Sequence, residues 1–151
     1  MSRVAFVTES RLPEGSDEDE LVSAILTPRG IDVVHAVWDD ASVDWTAFAS
    51  VVIRSPWDYY TKADAFCAWL TSLDVAGANL WNRPRTVLDN VHKRYLVDFA
   101  ARGLPVVPTV CVPRGSDRDL RRVLADNGWT SAVIKPAISA GAHLTWRTSI
   151  E

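Results

Sequence analysis

Between Val4 and Trp81, short β-branched runs alternate with stretches of helical spacing, and this order limits the fold more than any other property of the chain. Val4 to Thr8, Ile31 to Val37 and Val51 to Ile53 read as strands, with Ala78 to Trp81 as a further short one. Asp17, with Glu20 three residues on, makes a capping pattern that opens a helix over 18–29, and Gly30 closes it. Ala65, Phe66, Trp69, Leu70 and Leu73 share one face of a second helix over 63–73. Strands separated by helices pair in parallel, because a parallel connection needs a long crossover and the crossover helices then cover the sheet. The expected fold class is therefore α/β, with a small parallel-sheet lobe over residues 1–84.

A length of 151 residues admits one domain or two small lobes, and 48% hydrophobic against 23% charged residues is the balance of a globular chain. No apolar stretch approaches the roughly 20 residues of a membrane helix, so no membrane partner is expected. A formal charge of −3 without a block of lysine or arginine disfavours nucleic acid. Cys67 and Cys111 lie far apart without CxxC or Cys/His spacing, which predicts free thiols. The first strand begins almost at once with no signal-like region before it, so a cytoplasmic location is expected. Most of the seven tryptophans sit beside apolar runs and read as packing residues; Trp57 stands apart from them.

The pattern changes after residue 84. Val87, Val91, Tyr95 or Leu96, and Phe99 recur at helical spacing before Gly103, which predicts a helix carrying Lys93. Val106 to Val112 then reads as a strand, Ser116 as the cap of a helix over 117–127, and Trp129 to Lys135 as another strand. Residues 85–151 are thus the expected second lobe. Thr8-Glu-Ser-Arg-Leu-Pro13 stands where a dinucleotide-binding fold would place GxGxxG, so that reading is poor.

The segment Ser131 to His143 carries the strongest chemical signal. An apolar strand delivers Lys135 to its end, Pro136 stops regular pairing, and Ser139 to Gly141 let backbone N–H groups approach a polyanion. A plain strand and surface loop is the competing reading, since one lysine with one glycine falls short of a complete phosphate loop. The order helix lysine, strand, helix, strand lysine, small-residue loop resembles the first half of the nucleotide site of the ATP-grasp superfamily, in its glutathione-synthetase-like branch. Asp17-Glu-Asp-Glu-Leu21, Val37-Trp-Asp39 with Asp44-Trp45, Arg54-Ser-Pro-Trp-Asp-Tyr59, Asn82 and Lys135-Pro-Ala-Ile-Ser-Ala-Gly-Ala142 further resemble a group of bacterial amino-acid ligases that includes cycloserine-forming cyclo-ligases.

The resemblance implies a pre-ATP-grasp lobe followed by a partial ATP-grasp lobe. It implies ATP as the cofactor, held by Lys93, Lys135, Ser139, Ala140 and Gly141, although Ala137, Ala140 and Ala142 replace the glycines of commoner loops. Mg²⁺ is implied too, yet no Glu-x-Asn pattern follows Lys135, so no metal ligand is assigned and the chain reads as a truncated N-terminal portion, inactive alone. The implied activity is that of a ligase activating a carboxylate as an acyl phosphate for attack by an amine or similar nucleophile; no catalytic residue is assigned. Arg54, Trp57, Asp58 and Tyr59 are candidates for a small amino-acid-like substrate, at the carboxyl edge of the third strand where open α/β sheets bind ligands. Local pairing of Arg54 with Asp58, and packing of Trp57, is the equal alternative. Asp17 and Asp19 read as a solvated helix start, with a place facing the same cleft as the alternative, and neither His35 nor His92 has triad partners. His143 follows the loop and is a weaker phosphate candidate. Dimers are common in the superfamily, so a homodimer is among the expected assemblies. The other class of function is a non-catalytic small-molecule or partner-binding α/β module.

Overall fold

The computed structural model describes residues 2–150, and the chain divides into two compact units, Met1–Val91 and His92–Glu151. The first unit is built on a four-stranded, all-parallel sheet of β1 (Ser2–Thr8), β2 (Ile31–Val37), β3 (Ser50–Ile53) and β4 (Leu80–Trp81), in the order β2-β1-β3-β4. β1 is central: Phe6 pairs with His35 on one side and Val52 on the other. Ala5, Val7 and Val51 are fully buried, as expected where helices and loops cover a parallel sheet. The α/β class with a small parallel lobe is what the alternation implies.

Helix α1 (Asp17–Leu26) starts one residue earlier than the sequence pattern places it and stops earlier too. Ser16 rather than Asp17 is the cap: its hydroxyl accepts from the Asp19 N–H at 3.4 Å, while the Asp19 carboxylate accepts from the Ser16 N–H at 3.0 Å. Pro28, with no N–H to continue the ladder, falls in the 3₁₀ turn Thr27–Arg29 that leads to Gly30. Helix α2 (Ala63–Ala76) buries Phe66, Leu70 and Leu73. Phe66 joins Trp38, Trp69 and Tyr59 at ring separations of 5.2, 5.4 and 5.2 Å, and Trp45 joins Trp69 at 5.3 Å. Helix α3 (Pro84–Val91) packs on α2 and ends the unit.

The second unit holds α4 (Tyr95–Ala101), α5 (Leu120–Asp126) and an antiparallel pair, β5 (Ser131–Ile134) with β6 (Trp146–Ser149). Three expectations are corrected here, and one strand is added. The helix expected to run through Lys93 is interrupted at His92–Arg94: the Lys93 N–H donates to the Ala137 carbonyl at 2.8 Å, and the Arg94 N–H to His92 Nδ1 at 3.0 Å. Lys93 therefore sits in a break between α3 and α4. Val106 to Val112 forms no strand, since Pro105, Pro108 and Pro113 withhold the donors that a ladder needs. Helix α5 begins at Leu120, capped by Asp119, whose carboxylate accepts from the Arg121 N–H at 3.0 Å; Ser116 caps no helix. Finally, β6 turns residues 135–145 into the connection between two paired strands. Both cysteines are free thiols, and no helix among the described residues is long and apolar enough to cross a membrane.

Candidate functional site

The strand order reverses between β1 and β3, and in open α/β sheets ligands bind beyond the carboxyl ends of the strands at such a point. Arg54 and Ser55 leave β3 there, their N–H groups both donating to the Val7 carbonyl of β1. The first turn of α1 brings Asp19 to the same place. Asp19 is 1% exposed, and its carboxylate takes three donors: Arg54 Nε at 2.5 Å on Oδ1, and Ser55 Oγ at 2.7 Å and the Ser16 N–H at 3.0 Å on Oδ2. Burial opposes ionisation of Asp19, but Ser16, Ser55 and Arg54 outweigh it and hold the carboxyl below its ordinary value.

The Arg54 guanidinium also lies over the Phe6 ring, 5.5 Å from its centroid, and its side chain remains one-third exposed. Among the described residues Arg54 donates only through Nε, so both terminal nitrogens are left for a ligand. A planar fork held on two sides suits a carboxylate.

The other residues proposed beside Arg54 have different surroundings. Asp58 accepts from Trp38 Nε1 at 2.8 Å through Oδ1 and pairs with Lys62 at 2.9 Å through Oδ2. Burial opposes its charge, but Lys62 and Trp38 prevail and keep its carboxyl below the ordinary range. Lys62 also meets Asp39 at 2.6 Å, the larger reason its ammonium is held above its ordinary value. Tyr59 packs on Phe66 within the aromatic cluster, whereas Trp57 is half exposed. Arg54 thus pairs with Asp19, and Asp58 with Trp38 and Lys62; the two do not pair with each other.

In the second unit the break after α3 and the β5–β6 connection meet. Lys93 Nζ donates to the carbonyl of Ser139 at 2.8 Å and to its hydroxyl at 2.9 Å. Burial, and then the charge of Lys135, push the Lys93 ammonium below its ordinary value. Lys135 is exposed at the end of β5. Ala140 and Gly141 follow in the same loop, where Gly141 takes φ +56 and opens a run of turns through Leu144. Two lysines beside a small-residue loop form a donor set chemically matched to phosphate. The donor set for a divalent cation is another matter: among the described residues no group of three or more His, Cys, Asp or Glu comes together to hold a metal ion.

Ser55 and Gly15 were outside the residues singled out by sequence, and Asp19 was read as part of a solvated helix start, with a place at this cleft as the alternative. Gly15 has φ +80, and a Cβ there would lie 3.0 Å from Asp19 Cβ, Asp19 Oδ2 and His35 Cδ2. The legible signal was Ser16 followed three residues later by an acidic side chain, which turns that side chain back toward the helix start.

A short parallel sheet followed by helices and an antiparallel pair is an α/β fold that matches solved structures of a synthetase and of an ATP-grasp ligase. Residues 4–82, more than half of the chain, match the model of the D-cycloserine synthetase DcsG N-terminal domain, and the chain belongs to that family. It is 38% identical over 120 residues to the cycloserine biosynthesis protein DcsG of Streptomyces lavendulae, a match covering 78% of this chain and 39% of that protein. The crystal structure of D-cycloserine synthetase DcsG superposes with a TM-score of 0.87 at 29% identity, over 98% of this chain and 50% of that one. The ATP-grasp ligase PsnB, in complex with a minimal precursor, shares the fold at a TM-score of 0.57 and 18% identity, over 99% of this chain and 57% of that one. The chain spans about half the length of these relatives, or less.

Proposed function

We propose that this chain forms the substrate-side lobe and part of the nucleotide site of an ATP-dependent ligase acting on a small amino-acid-like substrate. In that reaction the γ-phosphoryl group of ATP passes to a substrate carboxylate, ADP leaves, and an amine or similar nucleophile displaces phosphate from the acyl phosphate. Lys93 and Lys135 neutralise phosphate charge, with the Ser139 hydroxyl and the amides of Ala140 and Gly141 as further donors. Arg54 orients a substrate carboxylate and Trp57 lines its approach, while Tyr59 and Asp58 support that edge from within the fold. The described residues do not fit Mg²⁺, and no step is assigned to it. The relatives, named as synthetase and ligase, are longer, which supports the view that this chain binds ligands but turns over only together with further chain.

The observation that carries this reading is the joining of Lys93 to Ser139 in the electrostatic field of Lys135. Isothermal calorimetry with ATP tests it. Native chain should bind, and Lys135→Ala should weaken binding about tenfold or more, the loss of one charge-assisted contact. Equal affinity in a folded Lys135→Ala variant would refute the assignment.

A further inference from the structure

We propose that Asp19 is a positioning residue for substrate: buried and ionised, it fixes the guanidinium plane of Arg54 so that the two terminal nitrogens face outward as a carboxylate fork. The proposal rests on the reading of Arg54 given above and adds what makes that arginine competent. An unrestrained arginine samples many rotamers, and a flexible donor loses affinity in proportion to the freedom it must surrender on binding. Here that freedom is already removed. Asp19 takes Nε at 2.5 Å, and the Phe6 ring lies 5.5 Å below the guanidinium carbon. With Nε occupied, the side-on pairing through Nε and one terminal nitrogen is closed, leaving the end-on pair.

Asp19 is itself over-determined. Ser55 Oγ and the Ser16 N–H hold Oδ2, leaving Oδ1 to Arg54, and Gly15 permits the chain to pass close against the carboxylate. A surface ion pair needs none of this. Three donors on a carboxylate that is 1% exposed, at the point where the strand order reverses, form a rigid mount for a partly exposed cation. The chemistry recognised is a planar carboxylate, as an amino acid carries.

The test follows the Arg54 side-chain Nε–H resonance by NMR in the intact chain, titrated with acetate and with acetamide as the uncharged control. Backbone amide dispersion checks the fold of each variant. Native protein should show a single sharp Arg54 signal that shifts with acetate and not with acetamide. In Asp19→Asn that signal should broaden and the acetate affinity fall about tenfold, equivalent to roughly 1.4 kcal/mol. Ser55→Ala, which keeps the charge but frees one side of the carboxylate, should give a smaller loss in the same direction and guards against an unfolded Asp19→Asn. An acetate response in native protein that survives both substitutions unchanged would overturn the positioning role while leaving Arg54 as the binding group. No acetate response at Arg54 in native protein would overturn the substrate reading of Arg54, and this proposal with it.

Discussion

The indole N–H of Trp38 donates to Asp58 across 2.8 Å, tying the end of the β2 edge to the segment that follows β3. With Lys62 on its other oxygen, Asp58 acts as a clasp between two connections. Asp58→Asn keeps one acceptor oxygen but leaves Lys62 with Asp39 alone. The expected result is a loss of about 1–3 kcal/mol in urea unfolding, with ATP affinity unchanged in the folded protein. A variant as stable as the native chain would show that the clasp contributes nothing.

Gly15→Ala should be costly out of proportion to one methyl group. The left-handed backbone disfavours any Cβ by about 1–2 kcal/mol, and the new atom would press on Asp19 and His35 at 3.0 Å. We expect a fall of about 2–4 kcal/mol in unfolding free energy from the two effects together. By contrast Gly30→Ala meets nothing within 4 Å and should show only the backbone share. Equal losses at the two positions would remove the packing argument.

Stability should decline in acid for a nameable reason. Asp19 and Asp58 both have native pKa values below their ordinary ones. The unfolded chain therefore takes up protons first, and the stability these groups contribute is fully present above the ordinary carboxylate value near 3.9 and lost as pH falls through the depressed native values. Urea midpoints measured across pH 2–6 should drop in that window. Asp19→Asn should flatten the drop, and an unchanged profile in that variant would show that Asp19 does not contribute to it.

Lys93 and Lys135 should separate in a dynamics measurement even if both weaken nucleotide binding. Lys93 secures the loop through Ser139, whereas Lys135, exposed at the end of β5, acts on Lys93 through charge. Hydrogen exchange at residues 137–141 should quicken in Lys93→Met and stay near native in Lys135→Met. If both variants protect the loop as well as the native chain does, the Ser139 contacts are not what holds it.

The parallel lobe was legible because its signals are local: β2 is Ile31–Val37 as read, and α2 carries Phe66, Leu70 and Leu73 on the face that periodicity assigns. What was missed depends on distant partners. An acidic run at 17–20 looks like a solvated helix start until Arg54, 35 positions on from Asp19, claims one member of it. The helical spacing through Lys93 is real in the sequence, but the Ala137 carbonyl takes the amide that would have continued the helix. Trp146–Ser149 is short and largely exposed, with too little alternation to announce a strand before its partner β5 is known. Lys93, read on a helix but placed in a break, still meets Ser139 in the small-residue loop that follows Lys135.

The aromatic cluster on α2 has an optical consequence. Trp69 lies 5.9 Å from Trp38 and 5.3 Å from Trp45, close enough for the strong far-ultraviolet transitions of the three indoles to couple and to add an exciton couplet to the circular dichroism. That chromophore belongs wholly to the first unit. Melting of the parallel lobe can therefore be followed by its own spectral band, without a label, while Trp129 and Trp146 of the second unit contribute as separate emitters.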